Sequence, residues 1–195
     1  MAVTIRILSG DAVREYLDDL ASLRLEIFAE FPYLYQGKRA DELAYLTSYA
    51  ETDGARVILA EADGEVIGAA TGMPLQHEDA LLRDPVATSG ADINRLYYVG
   101  ELLFYRRWRG ARLGQQLLAT MEEKIRRLGG FDGIVCATVA RPTDHPQRPA
   151  DFSPIERFLA RTGFAAIPGA STRFAWRELD GVKREQTMLL WRKAL

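Results

Sequence analysis

The sequence predicts one mixed α/β (α+β) domain, in which a central twisted sheet of about seven strands is flanked by about four helices. Strand-like and helix-like runs alternate along the chain, and no repeat, linker or low-complexity segment separates them. Two of the predicted strand pairs are joined by Asp-Gly, at 63–64 and at 180–181, and this dipeptide is typical of tight hairpins. With 195 residues, of which 48% are hydrophobic, the chain is long enough for one domain with a substantial core.

The first part of the chain predicts a strand followed by two helices. Residues 3–8 alternate apolar and polar side chains, as in a strand with one buried face. Asp11 can cap a helix that begins immediately after it and carries apolar residues at helical spacing as far as Phe28. Aromatic residues fill the loop over 31–37, and a second helix is predicted over 40–52.

The rest of the chain predicts the remaining strands and three further helical segments. A polar, proline-containing segment over 77–90 predicts a short helix and a loop. A longer helix over 111–128 ends at two consecutive glycines, which favour helix termination. Ser153 followed by Pro154 predicts a helix start, with serine as the cap and proline at the first helical position, and this helix ends at Gly163. The remaining strands are predicted over 56–62, 65–73, 94–105, 134–139, 172–179 and 184–191.

The chain is organised around residues 101–118, where a strand leads into a basic loop and then into a helix. The first turn of a helix presents free backbone N–H groups, and the helix dipole favours negative charge there. Gly110 and Gly114 lack a Cβ atom, so a ligand can approach the backbone closely. This arrangement indicates a site for a small polyanion. The arginines of the loop lie at positions 106, 107, 109 and 112.

The hexapeptide Arg109–Gly114, followed by Leu117 and Leu118, resembles the acyl-CoA pyrophosphate loop of the GNAT superfamily of N-acyltransferases. That loop reads Arg/Gln-x-x-Gly-x-Gly/Ala in the family. Arg112 stands here at the position of the family's middle glycine. A second register over 107–112 is also open, but the first is preferred because it puts the leucine pair where the family has it.

A second stretch, Arg161-Thr-Gly-Phe164, resembles the closing motif of the same family, in which a helix ends in Gly-Phe before the last two strands. The order of the predicted elements also matches the family over nearly the whole chain. The resemblance therefore implies a GNAT fold, with residues 1–195 as a single N-acetyltransferase domain. It further implies acyl transfer from acetyl-CoA to a primary amine, by direct attack in a ternary complex.

The resemblance implies acetyl-CoA as a co-substrate and no metal. In the family the pantetheine arm pairs with the backbone of the strand before the loop, and a backbone N–H of that strand is expected near the thioester oxygen. The loop holds the phosphates, and Arg112 either donates to a phosphate or obstructs its approach. The residues expected to bind the cofactor are Leu102, Leu103, Phe104, Arg109, Gly110, Ala111, Arg112, Leu113, Gly114 and Gln115.

The implied reaction needs a proton acceptor for the amine, because a lysine-like amine has a pKa of about 10. Glu101 lies beside the expected acyl site in an otherwise apolar strand, on the same face as Leu103, and is the expected catalytic base. The alternative is a Glu101 that pairs with a neighbouring arginine. Many family members protonate the leaving thiolate with a tyrosine four residues before Gly-Phe, and Leu159 stands there. The thiolate is therefore expected to leave unassisted or to take its proton from water.

The acceptor site is expected to include an aromatic wall, since aromatic faces suit a cationic or aromatic amine. Tyr33 and Tyr35 in the aromatic loop, and Tyr97 and Tyr98 before the expected base, are the predicted substrate-binding residues. A small-molecule amine is the favoured acceptor. A protein or peptide N-acetyltransferase and a non-catalytic acyl-CoA-binding sensor are the alternatives.

The composition argues against nucleic acid, a cysteine-based metal cluster and a membrane as partners. With 25 basic and 27 acidic residues, the charge gives no case for nucleic acid as the main partner. The single cysteine, Cys136, excludes an intramolecular disulfide and a cysteine-based metal cluster. No segment has the length of a membrane span or of a signal-peptide apolar region. We therefore expect a cytoplasmic protein that does not act on membranes or nucleic acid, and a homodimer remains open.

Overall fold

The computed structural model describes residues 2–195, and its centre is a sheet of seven strands in the order β1-β2-β3-β4-β5-β7-β6. Neighbouring strands are antiparallel except β4 and β5, which are parallel. The strands are β1 (Val3–Leu8), β2 (Arg56–Ala62), β3 (Glu65–Pro74), β4 (Leu96–Phe104), β5 (Gly133–Val139), β6 (Ala165–Arg177) and β7 (Lys183–Ala194). The α-helices are α1 (Leu17–Ala29), α2 (Arg39–Glu51), α3 (Ala80–Thr88), α4 (Leu113–Leu128) and α5 (Ile155–Arg161).

The predicted mixed sheet and both Asp-Gly hairpins are confirmed, and the α-helices number five where about four were expected. The sheet separates two apolar layers. Helices α1 and α2 pack on one face, and α4 packs on the other, because each presents one apolar stripe to the strands. Helix α3 covers a third cluster near the start of β4. No helix within residues 2–195 is long and apolar enough to cross a membrane.

Strand β4 contains a β-bulge at Gly100. Thr71 of β3 pairs with Glu101, but the next residue of β3 pairs with Val99, so the glycine is left over. A Cβ atom at Gly100 would lie 2.8 Å from the Tyr49 hydroxyl, closer than real side chains approach, which explains the glycine. The bulge turns Val99 toward α4 and the residue after the glycine toward α1 and α2.

Strands β4 and β5 pair only at their beginnings. Leu96, Tyr97 and Tyr98 of β4 face residues 133–135 of β5, and no pairing continues beyond them. From Val99 to Phe104, β4 therefore has one edge bonded to β3 and one edge without a strand partner. Since β5 stays paired with β7 along its whole length, the two parallel strands diverge and leave an opening between them.

Two predicted helix caps are wrong. Asp11 accepts a hydrogen bond from Arg14 Nε at 3.1 Å instead of capping, and residues 10–16 form a 3₁₀ turn ahead of α1. Ser153 is likewise not the cap, because Pro154 has an extended ψ of 136° and occupies the cap position of α5 without a side-chain hydrogen bond. Strand β6 also begins earlier than predicted, at Ala165, and its pairing with β7 is irregular as far as Ser171.

Candidate active site between strands β4 and β5

A cavity of about 910 Å³ occupies the opening between β4 and β5. Its walls come from the unpaired part of β4, the basic loop with the first turn of α4, residues 136–139 of β5, α5, and the loop after α1. All the predicted cofactor-binding residues except Ala111 line it, as does the predicted base Glu101. The diverging parallel strands therefore bring together the basic loop and the carboxylate that the sequence analysis had singled out.

The basic loop forms one end of the cavity. Helix α4 begins at Leu113, so the free N–H groups of its first turn lie at the cavity wall. A Cβ atom on Gly114 would lie 3.7 Å from Leu102 Cδ2 and 3.8 Å from Phe158 Cε2, which are ordinary contact distances. Since the protein itself would accommodate a side chain at Gly114, the glycine keeps free space inside the cavity.

Arg112 has left-handed backbone geometry, with φ of 61° and ψ of 7°, at the N-cap of α4. L-residues with a side chain adopt this geometry at a cost of roughly 1–2 kcal/mol, whereas glycine adopts it freely. The backbone geometry at position 112 therefore favours glycine, which is the residue that the GNAT loop pattern has there. Of the four loop arginines, Arg106, Arg107 and Arg109 have carboxylate partners, and Arg112 has none among residues 2–195.

Arg109 ties the basic loop to the end of α1. Its two terminal nitrogens donate to the carboxylate oxygens of Glu30 at 2.7 and 2.9 Å, and its Nε donates to the Phe104 carbonyl at 2.8 Å. The side chain is still 40% exposed, so the pair contributes little to stability. Its consequence is geometric, because Glu30 and Arg109 both line the cavity and the pair fixes their separation.

Glu101 belongs to a buried polar network at the other end of the cavity. Arg24 Nη1 donates to one carboxylate oxygen of Glu101, and the Thr71 hydroxyl donates to the other. Arg24 also donates through Nε to Glu42, which in turn accepts a hydrogen bond from Tyr35 at 2.8 Å. Both carboxylates are at least 95% buried. Glu101 is therefore a paired carboxylate on the α1–α2 face that also borders the cavity.

Burial raises the pKa of Glu101, and the charge of Arg24 acts in the opposite direction without cancelling that rise. For Arg24, burial alone would lower the pKa, but the charges of Glu101 and Glu42 raise it above its ordinary value. The guanidinium lies 4.3 Å from the ring centroid of Tyr45 and 4.9 Å from that of Phe28. Arg24 therefore stays charged and holds two buried carboxylates in position.

Of the four tyrosines predicted to bind substrate, only Tyr33 lines the cavity. Tyr35 lies beside it in the chain, but its hydroxyl is bound to Glu42. Tyr97 is fully buried, and its hydroxyl lies 2.9 Å from the Gly72 carbonyl. Tyr98 is buried in the apolar cluster under α3. The bulge and the packing of α3 thus direct the two β4 tyrosines away from the cavity.

Leu159, at the position where many family members have a tyrosine, lines the cavity with an apolar side chain. Cys136, the first β5 residue beyond the paired segment, also lines it, and burial raises the pKa of its thiol to about 12. A thiol with so high a pKa stays protonated near neutral pH and is a poor nucleophile.

Sequence reasoning missed three charged residues whose charges interact with Glu101 or with its partner Arg24. Arg24 and Glu42 lie on the inner sides of α1 and α2, and a charged residue within an apolar helix stripe was the available signal for both. Glu78 follows the 3₁₀ turn over 75–77 that comes after β3, and one of its carboxylate oxygens is buried without a hydrogen-bond partner among residues 2–195. Burial, followed by the charge of Glu101, raises the pKa of Glu78 to about 7. Within residues 2–195, no group of three histidine, cysteine, aspartate or glutamate side chains is placed to hold a metal ion.

Comparisons with known proteins agree with this geometry. The model of the Acetyltransferase (GNAT) family matches residues 20–149. No curated protein matches the sequence. Among solved structures, one named as a candidate phosphinothricin N-acetyltransferase superimposes with a TM-score of 0.65 at 15% identity, over 100% of this chain and 99% of that chain.

Two further structures have the same fold. The structure of yncA from Salmonella typhimurium, described with its cofactor acetyl-CoA, has a TM-score of 0.64 at 15% identity, over 100% of this chain and 95% of that chain. A ribosomal-protein-alanine N-acetyltransferase from Brucella melitensis has a TM-score of 0.62 at 17% identity, over 98% of this chain and 99% of that chain. With a family match over more than half of its length and a sheet that opens between two parallel strands, the chain belongs to the GNAT family of acetyltransferases.

Proposed function

We propose that the chain transfers an acetyl group from acetyl-CoA to a primary amine of a small molecule, by direct attack in a ternary complex. The observation that carries the proposal is the divergence of β4 from β5 beyond Tyr98, which leaves a cavity of about 910 Å³. The cavity has a cationic loop at one end and a buried carboxylate at the other. The cationic end suits the phosphates of acetyl-CoA. The carboxylate end suits an acceptor amine that must lose a proton.

The cationic end suits the pyrophosphate of acetyl-CoA. The first-turn N–H groups of α4 and the arginines at 109 and 112 offer donors for phosphate oxygens. The free space at Gly114 allows a phosphate to reach the backbone. Along the unpaired edge of β4, the N–H and C=O groups of residues 102–104 can bond the amides of the pantetheine arm, as an added strand would. The proposed cofactor-binding residues are those that the sequence analysis named.

At the carboxylate end, Glu101 is the proposed proton acceptor. A carboxylate has about four lone-pair sites, so the bonds from Arg24 and Thr71 leave acceptor capacity for an amine proton or a bridging water. The raised pKa of Glu101 makes it a stronger base than an exposed carboxylate. The amine nitrogen attacks the thioester carbonyl carbon, the C–S bond breaks, and the amine proton passes to Glu101.

A small-molecule acceptor is supported by the aromatic part of the cavity wall. Phe28, Phe31 and Tyr33 line the cavity there and offer apolar and aromatic surface to a compact amine. The related structures have names that refer to different acceptors, phosphinothricin in one case and a ribosomal protein alanine in another. Family membership alone therefore does not identify the acceptor, and the proposal of a small molecule is based on the aromatic residues that line this cavity.

The proposal is tested by thiol release from acetyl-CoA in the presence of a panel of small amines, polyamines, amino acids and peptides. We expect turnover with at least one small amine, and mass spectrometry should find the product heavier by one acetyl group on nitrogen. Turnover with peptides alone would replace the proposal with protein N-acetylation. Binding of acetyl-CoA without turnover on any amine would overturn it in favour of a non-catalytic acyl-CoA sensor.

A further inference from the structure

Tyr33 is anchored firmly through every part except its hydroxyl group. Its carbonyl accepts hydrogen bonds from Arg141 Nη2 at 2.9 Å and from Trp176 Nε1 at 3.0 Å. Arg141 is itself only 7% exposed, and it donates to Glu178 at 2.6 Å. The ring of Tyr33 packs at 4.6 Å, centroid to centroid, from that of Phe28. These contacts fix the position of the phenol without using its polar atom.

The hydroxyl of Tyr33 makes no hydrogen bond with any other residue between 2 and 195, and it is not one of the fully buried polar atoms that lack a partner, because the residue is only half-buried. The hydroxyls of the neighbouring tyrosines do have protein partners. Tyr35 donates to Glu42 at 2.8 Å, and the hydroxyls of Tyr45 and Tyr49 lie 2.8 Å apart. Because Tyr33 lines the cavity, a group bound in the cavity is the natural partner for its free O–H.

Tyr33 faces the part of the cavity where β4 and β5 begin to diverge. Cys136 of β5 and Glu101 of β4 border that part, and both lie near enough to affect Tyr33 electrostatically. Burial, followed by these two neighbours, raises the pKa of Tyr33 above its ordinary value. The phenol therefore stays protonated near neutral pH, and it can donate a hydrogen bond without giving up its proton.

No other phenol lines the cavity in the part of the chain that the structure describes, and Leu159 offers no donor. We infer that the Tyr33 hydroxyl is a catalytic hydrogen-bond donor to the sulfur atom that leaves when the thioester is cleaved. This inference rests on the proposed function. It assigns to the loop after α1 a task that the sequence analysis had left to solvent.

The step balances without an additional reagent. As the amine nitrogen bonds to the carbonyl carbon, the electron pair of the C–S bond moves to sulfur, and the Tyr33 O–H donates a hydrogen bond to the resulting thiolate. The amine proton leaves through Glu101, and the thiolate takes a proton from water to become the thiol of CoA. Tyr33 remains neutral throughout, which is consistent with its raised pKa.

The test is the pKa of the CoA thiol in the binary complex, followed through the ultraviolet absorbance of the thiolate in wild type and in Tyr33→Phe. Cys136, with a pKa of about 12, does not titrate in the same range. A hydrogen bond to a charged sulfur should stabilise the thiolate about tenfold, which is about one pKa unit. We expect the bound thiol to titrate about one unit higher in Tyr33→Phe than in wild type.

The matched control is Tyr105→Phe, which removes a hydroxyl from a partly buried tyrosine that does not line the cavity. We expect it to leave the thiol pKa unchanged. Tyr33→Phe should also lower kcat about tenfold while the KM for acetyl-CoA and the urea unfolding midpoint stay at their wild-type values. Equal thiol pKa values in wild type and Tyr33→Phe would overturn the inference alone. A wild-type protein that does not bind CoA would overturn the proposed function as well.

Discussion

The two ends of the cavity are built in opposite ways. At the end that we propose for the cofactor, the charges are exposed arginines of a single loop, and three of them form surface ion pairs. At the end that we propose for the acceptor, the charges are buried, and Arg24 lies between Glu42 and Glu101 with at most 13% of its side chain exposed. The first end can exchange partners with solvent or ligand at low cost, and the second cannot.

If the two ends have the roles that we propose, this difference in burial separates cofactor binding from catalysis. Exposed charges are well solvated, so a loop arginine loses little when it leaves one anion for another. Buried charges are costly unless they are paired, so each change in the Glu42–Arg24–Glu101 network affects stability and proton affinity together. Mutations at the cofactor end should therefore change affinity, whereas mutations at the acceptor end should change rate, pH dependence and stability.

The largest expected effect is the loss of turnover in Glu101→Gln. Glutamine keeps the size and a hydrogen-bond acceptor but cannot take the amine proton, so kcat should fall about a hundredfold to ten-thousandfold. Calorimetry should find CoA affinity unchanged. Because a base with a raised pKa loses activity when it is protonated at low pH, the acidic limb of the pH–rate profile should also disappear.

The control for this variant is Glu42→Gln, which removes the other carboxylate from Arg24 without changing the cavity wall. Both variants leave Arg24 with one anionic partner, so they should lose comparable stability in urea unfolding. Only Glu101→Gln should lose most of its turnover. Near-full turnover of Glu101→Gln on its best amine would remove Glu101 from the mechanism.

Glu78→Gln should raise stability at the acceptor end at alkaline pH. Burial raises the pKa of Glu78 from 4.5 to about 7, so the folded protein holds this proton more tightly than the unfolded chain does. The wild-type free energy of unfolding should therefore contain a contribution that falls as pH rises from 4.5 to 7. The full cost above pH 7 is about 3 kcal/mol at 1.36 kcal/mol per unit. Glutamine carries no such cost.

The measurement is urea unfolding of wild type and Glu78→Gln at pH 5 and pH 8. The variant should be more stable by about 2–3 kcal/mol at pH 8, and the difference should shrink at pH 5. Glu65→Gln, which changes a mostly exposed carboxylate, is the control and should give a difference near zero at both values. The same pH dependence in wild type and Glu78→Gln would contradict the assignment.

Gly114→Val tests the cofactor end. The Cβ atom fits among its protein neighbours, the nearest 3.7 Å away, but the added methyl groups would fill the space that the glycine leaves in the cavity. We expect CoA affinity to fall at least tenfold, about 1.4 kcal/mol, with the fold intact in urea unfolding. Ala119→Val, on the exposed side of α4 and off the cavity wall, should bind CoA normally. Equal CoA affinity in both variants would remove this loop from the cofactor site.

The smallest expected effect is a gain in stability from Arg112→Gly. Glycine takes φ of 61° without the side-chain cost but gains entropy in the unfolded chain, so a net stabilisation of about 0.5–1 kcal/mol is expected. Arg112→Ala removes the same charge and keeps the left-handed geometry, so it should show no gain. The comparison is made by urea unfolding, and a glycine variant less stable than the alanine variant would contradict it.

The basic loop and the start of α4 were largely predictable from the sequence as one wall of a cavity, because their residues are neighbours along the chain. Local pattern and family resemblance were sufficient for this, and binding of the cofactor there stays a prediction. The acceptor end joins Arg24, Glu42, Thr71 and Glu101, which meet only through the packing of α1 and α2 on the sheet. No local sequence pattern indicates that these four side chains are in contact. The partner of Glu101 could therefore not be predicted from the sequence.

The tyrosines illustrate the same limit. Tyr97 and Tyr98 immediately precede the bulge, and an unbroken alternation of faces could not show that neither reaches the cavity. Tyr33 reaches it because Arg141 and Trp176 hold its backbone from 108 and 143 residues away in sequence. The caps at Asp11 and Ser153 failed for a more local reason, since in each case a side chain or a proline offered an alternative to the capping bond.

The bulge at Gly100 has a consequence for how this protein can change. Before the glycine, odd-numbered residues of β4 such as Val99 face α4, and after it even-numbered residues such as Phe104 do. One strand thus carries two phases of the same two-residue repeat. Deletion of Gly100 would restore a single phase, in which Val99 and Leu102 still face α4 and Glu101 still faces α1 and α2. One residue can therefore be lost at this position, which would shorten β4 without changing which side chains reach each face of the sheet.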